Sequence, residues 1–193
     1  MKRKSKRKKS RIGKLLLFLV VIGLGVLTFF FFQKEIFDTL KPAVKKKEIL
    51  PEKKEILLYF SDPEEEYLIG EKRRIVKKGE VGEEAKEAVK ELIKGPRGKL
   101  IPTLPARTEL LGLEVRRDGV GKVNFSRALS KDHPGGSSAE MMTVYSIVNS
   151  LTHNFPEIKR VQILIEGKPA ETIAGHLSLR QPIPAKPDLI RRE

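Results

Sequence analysis

The chain has 193 residues with no cysteine, and its 39 Lys and Arg against 25 Asp and Glu give a formal net charge of +14. The lack of cysteine excludes disulfides, thiolate metal sites, a cysteine nucleophile and the acylated cysteine of a lipoprotein. Nine of the basic residues lie in the first 14 positions, so the remainder is only mildly basic and gives no reason to expect a nucleic-acid partner.

Residues 15–32, LLLFLVVIGLGVLTFFFF, are the most apolar stretch of the sequence and carry no charge. About 20 apolar residues cross the roughly 30 Å hydrocarbon core of a bilayer as a helix. A cleaved signal peptide also follows basic residues, but its apolar core is about 7 to 15 residues long and ends at small residues. This stretch ends in FFFFQKE, which favours an uncleaved transmembrane helix.

The distribution of basic residues predicts the orientation of that helix. Residues 1–14 are predicted as a basic cytoplasmic tail, since positive charge is retained on the cytoplasmic side. The chain is then a single-pass protein of the inner (cytoplasmic) membrane, with everything after residue 32 outside it. Residues 33–54 contain two prolines and many lysines without a lasting period, and they are predicted as a linker. A flexible linker of that length reaches about 25 Å, which keeps the following domain near the membrane.

Residues 55–183 are predicted as one exported domain. EILLYF, residues 55–60, is apolar on both faces and is typical of a covered central strand, and residues 67–76 follow as the next strand. Residues 82–96 predict an amphipathic helix that ends at a Gly-Pro pair. Its apolar positions are Ala85, Ala88, Val89, Leu92 and Ile93.

Residues 110–126, LLGLEVRRDGVGKVNFS, predict a hairpin. A two-residue loop would place apolar residues opposite polar ones. A three-residue loop over 117–119, with Gly119 left-handed, instead pairs Leu113 with Val123 and Leu111 with Phe125, and it is the predicted loop. A second helix from Ser137 to about residue 154 and a closing strand over 160–167 follow.

This order of elements predicts an α+β fold. The domain is expected to be a two-layer sandwich of a small mixed β-sheet with two helices on one face, preceded by the transmembrane helix. The last residues, 184–193, are rich in proline and are predicted as a disordered tail, with an extended recognition peptide as the alternative.

The stretch DHPGGSSAEMM, residues 132–142, could be a phosphate loop, a catalytic loop or the start of a helix. A phosphate loop needs Lys followed by Ser or Thr after its last glycine, which this stretch lacks. Ser137 and Glu140 have the spacing of a capping box, in which each side chain accepts the backbone N–H of the other residue. The stretch is therefore predicted to begin a helix.

Catalytic and metal sites are not indicated by the polar residues. His133 has serines and Asp132 near it in sequence, but nearness in sequence does not establish a triad. His133, His153 and His176 lack metal-ligand spacing. Acidic pairs are inevitable among 25 acids and do not single out a glycosidase. We predict no catalytic residue, no metal and no cofactor.

Four segments together resemble the GerMN domain, first described in a sporulation and spore-germination protein. They are EILLYFSDPEEEYLIGEKRRI, AVKELIKGP, GGSSAEMMTVYSIVNSLTHNFPEIKRVQILIEG and GHLSLRQPI, and they cover residues 55–183. The resemblance implies a small α/β domain, exported and tethered to a membrane, with no known catalysis. The founding protein resembles a lipoprotein with tandem copies, whereas this chain has one copy, no cysteine and a spanning helix.

The family motif falls on six residues, for which structural roles are predicted: Gly135, Gly136, Ser137, Glu140, Gly175 and His176. His176 is expected to hold the last segment through a hydrogen bond of its side chain. The predicted function is docking of other envelope proteins, or self-association, in a complex for the cell wall, division or sporulation. A peptidoglycan-processing enzyme and a sensor of wall fragments are the alternatives; the docking hypothesis expects no small-molecule substrate.

Overall fold

The structure, a computed structural model, describes residues 6–39 and 51–191. It consists of two compact units, Met1–Leu50 and Pro51–Glu193. The described part of the first unit is helix α1, Lys6–Thr39. Its 22-residue segment Gly13–Lys34 has a mean hydropathy of 2.9 and is long and apolar enough to cross a membrane. At about 1.5 Å per residue this segment is about 33 Å long, which fits the hydrocarbon core.

The hydroxyl of Thr28 within this apolar segment is satisfied by the helix itself. The Thr28 hydroxyl lies 3.0 Å from the carbonyl oxygens of both Leu24 and Gly25. Such internal bonds remove the cost of a hydroxyl in hydrocarbon. The helix is thus consistent with the predicted membrane anchor. It continues beyond residue 32 into the predicted linker, of which residues 40–50 lie outside the described residues; residues 1–5 of the predicted tail also lie outside them.

The second unit begins with an antiparallel hairpin of β1, Lys53–Ser61, and β2, Leu68–Val76. Strand β1 is buried on both faces, as predicted, because Phe60 and Tyr59 point to opposite sides and both are covered. Its outer edge is covered by a later helix: Asn154 accepts from Leu57 N–H at 2.9 Å and donates to the Leu57 carbonyl at 2.6 Å. A helix therefore takes the place of a third strand.

The remaining strands form a second, mixed sheet. Strands β3, Leu110–Val115, β4, Val120–Phe125, and β5, Arg160–Ile165, are adjacent, with β4 and β5 parallel. The short strands β6, Lys168–Pro169, and β7, Ile183–Pro184, both pair with β5. The α+β class with a mixed sheet is confirmed. The prediction placed all strands in one sheet, whereas the structure divides them between two, and side chains of α4 occupy the outer edge of β1.

The β3–β4 hairpin confirms the three-residue loop, with Gly119 at φ 80° and Leu113 opposite Val123. The predicted pairing of Leu111 with Phe125 is wrong, because the register shifts between Leu110 and Gly112 and Leu110 lies opposite Phe125. The irregularity leaves Leu111 48% exposed while Leu110 packs against the core. A bulge of this kind changes which face a side chain occupies.

Two longer helices cover the core of this unit. Helix α2, Val81–Ile93, buries its predicted stripe, and helix α4, Ser137–Asn154, has the predicted bounds. A four-residue helix α3, Ala128–Lys131, precedes α4. The core joins apolar side chains from both sheets and both helices; its largest fully buried members include Phe60, Phe125, Phe155, Leu92 and Leu151.

The last residues are ordered, so the predicted disordered tail is wrong for residues 184–191. After β7 the chain forms a 3₁₀ helix, Pro187–Leu189, and Ile190 makes a parallel bridge with Leu68. Arg191 donates to the buried carboxylate of Asp62 at 2.7 Å. Apolar contacts of Leu189 and Ile190 beside Leu68, together with this ion pair, hold the segment against the domain.

Thr108 is buried, and its hydroxyl has no hydrogen-bond partner in residues 51–191. We expect Thr108→Val to raise the free energy of unfolding by about 1 kcal/mol, because it removes an unsatisfied polar group at nearly constant volume. Chemical denaturation measures this. Thr108→Ser, which keeps the hydroxyl and loses a methyl group, is expected to lower stability, and a destabilised valine variant would contradict the assignment.

The candidate site at the start of helix α4

The two motif glycines provide the backbone conformation that begins α4. Gly135 and Gly136 have φ values of 88° and 85°, which other residues rarely adopt, and a side chain at either position would meet open space. Gly136 is the N-cap, and no side chain caps the helix. The predicted capping box is therefore wrong: Ser137 is exposed at the first helical position.

Glu140 is directed instead toward a loop more than thirty residues away in sequence. Its Oε1 accepts the N–H groups of Ile173 and Ala174 at 2.7 and 2.9 Å, and its Oε2 accepts those of His176 and Leu177 at 2.7 and 3.2 Å. The residue is completely buried. Burial opposes ionisation, but these four donors outweigh it and hold the pKa of Glu140 below its ordinary value.

The second motif element lies in this bound loop. Gly175 adopts φ 96°, and its neighbour His176 contributes its backbone N–H to Glu140. The imidazole of His176 is exposed and makes no hydrogen bond to the described residues, so the prediction that this side chain holds the segment is wrong. The structure thus brings both motif elements together through Glu140 and the loop backbone.

His133 belongs to a second polar network at the same end of α4. Gly135 N–H donates to its Nδ1 at 3.0 Å, so the proton of the neutral ring lies on Nε2, 3.0 Å from the Thr143 hydroxyl. Thr143 donates in turn to the Thr103 carbonyl. Thr103 and Ser146 hydroxyls are 2.6 Å apart. Burial is the main cause of a lowered pKa for His133, which favours the neutral ring.

This arrangement gives His133 no free lone pair to act as a base. One ring nitrogen accepts from the backbone and the other donates to Thr143. Ser137, the nearest serine considered from sequence, makes no side-chain hydrogen bond to His133 in the described part of the chain. Glu140 and His133 are thus both engaged in holding loops. Within residues 6–39 and 51–191, no group of three or more acidic or histidine side chains could hold a metal ion.

A groove of about 160 Å³ lies above the His133 network. The network fixes its floor at Thr103 and Thr143, which are buried. The walls are mostly apolar, and Ile101 on one wall is 37% exposed. The other lining residues are Ser61, Glu65, Pro102, Leu104, Pro105, Pro134, Ala139 and Met142.

The outer edge of β2 is a second candidate surface. The bonds Asp62 N–H to Tyr67 O and Lys77 N–H to Glu52 O fix which residues pair with β1. In an antiparallel ladder alternate residues of a strand bond to its partner, so the odd-numbered residues of β2 bond to β1. The backbone groups of its even-numbered residues therefore point outward, away from β1. Leu68 confirms this alternation, because its carbonyl accepts Arg191 N–H at 3.0 Å.

Beyond Leu68 this outer edge is open. The outward N–H and C=O groups of Gly70, Lys72 and Arg74 have no backbone or side-chain partner among the described residues. All three residues are exposed. Lys72 pairs across the hairpin with Glu55 at 3.1 Å, whereas Arg74 makes no ion pair in residues 51–191. We call this row the β2 edge.

Several residues that shape these sites have no signature in the sequence. Asp62, Thr103 and Thr143 are ordinary loop or helix residues by pattern, and Arg73 lies in a charged run yet is 2% exposed. The proline after Asp62 is the one available signal, because Asp-Pro sequences favour a turn. The partners of the other residues are distant in sequence, so no local pattern identifies them.

A family model described as "Germane: Sporulation and spore germination" matches residues 57–171. The chain belongs to this GerMN family. The match covers more than half of the sequence and contains β2, the helices α2 and α4, and β5. It also includes the Gly135–Glu140 motif and Asp62.

Solved GerMN structures have the same fold. The first GerMN domain of the sporulation protein GerM from Bacillus subtilis has a TM-score of 0.52 and 22% identity, covering 72% of this chain and 99% of that one. The tandem GerMN domains of GerM give 0.54 and 19%, covering 71% and 48%. A candidate lipoprotein from Clostridium perfringens gives 0.51 and 23%, covering 72% and 93%. No curated protein sequence matches significantly.

Proposed function

We propose that this GerMN protein is a membrane-anchored module that docks another protein of the cell envelope outside the cytoplasmic membrane. The apolar α1 helix and the GerMN family support an envelope-associated module. The charge distribution supports the orientation, because nine basic residues precede the apolar stretch and favour a cytoplasmic N-terminus. Tethering confines the domain near the membrane surface and raises the effective concentration of any partner held there.

The observation that carries the docking proposal is the open β2 edge. Three successive outward positions present unpaired backbone groups, and such an edge accepts an added strand. Lys72 and Arg74 belong to this edge, so in-register pairing with the same edge of a second copy would bring like charges together. An extended partner segment carrying acidic side chains fits this edge.

The enzymatic alternative is less well supported. The carboxylate of Glu140 accepts four backbone bonds, and both ring nitrogens of His133 are engaged, so neither side chain is available for proton transfer. A sensor of wall fragments would require a pocket with convergent polar groups. The groove above His133 is lined mainly by apolar side chains, which is a poor match for a sugar. We therefore propose a non-enzymatic function.

Photocrosslinking in intact cells tests this function at the β2 edge. We expect full-length protein with p-benzoylphenylalanine in place of Arg74 to capture an envelope protein. Adding Lys72→Pro should reduce capture about tenfold, since proline removes an outward N–H that β1 does not use. Lys72→Thr removes the same charge but retains the N–H, and should capture more than the proline variant.

The full-length protein also tests the enzymatic and sensor alternatives. Turnover of muropeptides by the full-length protein, or saturable binding of them in calorimetry, combined with no captured protein, would overturn the docking function. Equal capture by the proline and threonine variants would remove the β2 edge as its basis.

A further inference from the structure

Two glutamates have the left-handed backbone conformation that usually requires glycine. Glu65 has φ 55° and Glu166 has φ 51°, and they are the only such non-glycine residues in the described part of the chain. L-residues avoid this conformation because Cβ approaches a carbonyl oxygen. A non-glycine residue with this conformation is a reason to look for a function of its side chain.

The structure accounts for Glu166 but not for Glu65. The carboxylate of Glu166 accepts Arg127 N–H at 2.8 Å, a bond that glycine could not make. The carboxylate of Glu65 accepts no hydrogen bond and makes no ion pair within residues 6–39 and 51–191. Only its backbone is engaged, through a 3.2 Å bond to the Asp62 carbonyl. The turn therefore uses the conformation of residue 65 and not its side chain.

The turn is held by Asp62. Its Oδ1 accepts Glu66 N–H at 2.9 Å and Tyr67 N–H at 3.1 Å, and its Oδ2 pairs with Arg191. These bonds fix the backbone on both sides of Glu65, so the strained residue persists without help from its own carboxylate. Glycine at position 65 would preserve every one of them.

Glu65 lies on the wall of the groove at the start of α4. Glu64 and Glu66 beside it are also exposed, so this rim is acidic. Arg107 pairs with Asp132, which precedes α4 in the chain, at 2.9 Å, and this pair adds no net charge. The groove thus combines an apolar interior with a negative rim, and its volume of about 160 Å³ is smaller than the roughly 300–1,000 Å³ of small-molecule sites.

We propose that this groove receives one lysine or arginine side chain, with an adjacent apolar residue, from an extended segment of the docked partner. Glu65 accepts the charge-assisted hydrogen bond of the cation. The stem of the side chain and its apolar neighbour pack against Ile101 and the prolines. This inference rests on the docking function, but it uses a surface distinct from the β2 edge and a partner segment of opposite charge.

The test uses the full-length protein in cells, with p-benzoylphenylalanine in place of Ile101 and mass-spectrometric mapping of the captured peptide. We expect the mapped segment to carry Lys or Arg within three residues of the crosslink. Glu65→Gln, which keeps the shape and removes the charge, should lower the yield about tenfold. Glu64→Gln, a neighbouring exposed carboxylate outside the groove lining, should leave the yield unchanged.

Glu65→Gly separates binding from folding. We expect it to lose the crosslink like the glutamine variant while its Tm rises by about 3 °C, because glycine relieves the backbone conformation. A lowered Tm would assign the side chain a structural role and overturn the inference. An unchanged yield with Glu65→Gln, a captured segment without a cation, or a captured wall fragment would also overturn it. If the crosslinker at position 101 captures no protein while the crosslinker at position 74 does, this groove is rejected as a binding site and the docking function is retained.

Discussion

Glu140→Gln is expected to lower the free energy of unfolding of the GerMN domain by about 3 kcal/mol or more. The carboxylate is fully buried and accepts four backbone N–H groups, two on each oxygen. Glutamine replaces one oxygen with an NH₂ group, which would face two N–H donors and leave them unsatisfied. Loss of charge-assisted bonds and the cost of buried unpaired donors act in the same direction.

The pH dependence of stability provides a second measurement for Glu140. Its folded-state pKa is lowered from 4.5, so its contribution is fully present above that value and is lost as the pH falls through the folded-state pKa. Denaturation of the wild-type protein and the glutamine variant should therefore differ most above pH 4.5 and converge in acid. Glu157→Gln, at an exposed position, is the control and should match the wild type. A constant difference at all pH values would contradict the assignment.

Arg73→Ala is expected to destabilise the domain by about 3–5 kcal/mol. The guanidinium is 2% exposed, donates to Glu71 at 2.6 Å and to the Gly95 carbonyl at 2.8 Å, and lies 5.6 Å from the Phe60 ring centre. It also pairs with Glu91 at 3.4 Å, joining the end of α2 to β2. Removing the cation leaves the Gly95 carbonyl without this donor and takes one partner from each carboxylate, although Glu91 keeps Lys94 and Arg97 and Glu71 keeps the Arg97 N–H.

Equilibrium unfolding in denaturant, with two matched variants, measures this effect. Arg73→Met retains most of the buried volume but not the charge, so it separates packing from ion pairing. Arg74→Ala changes the exposed neighbour and should alter stability by less than about 0.5 kcal/mol. If the methionine variant equals the wild type, the ion pairs contribute no net stability and the effect of alanine is one of packing.

Elements with local signals were predictable from sequence. The bounds of α4 follow from the glycines before it and the apolar period within it, and the β3–β4 loop follows from matching apolar residues across a glycine. The capping box failed because a local motif was assigned to Glu140, whereas four amides of a distant loop compete for the same carboxylate. Likewise, the irregularity at Leu111 and the ordered tail depend on packing against distant residues, which no window of sequence contains.

The sequence predicted only part of the candidate site. Gly135, Gly136, Glu140 and Gly175 were identified from the family motif, and the structure brings them together. The groove could not be predicted, since Ile101, Glu65 and Met142 come from three separate segments. The strain at Glu65 is a backbone property and has no counterpart in composition or hydropathy.

The hairpin of β1 and β2 has a mechanical consequence. Strand β1 is the first element that the structure describes after α1, and it is held along nine residue pairs by β2 on one side and by α4 side chains on the other. A pull directed along the strands, on the N-terminal end of β1 and in the opposite direction on β2, would load this ladder in shear, so many bonds would have to break at once rather than one after another. The second sheet would carry none of that tension directly, and the hairpin would act as the mechanical clamp of the molecule.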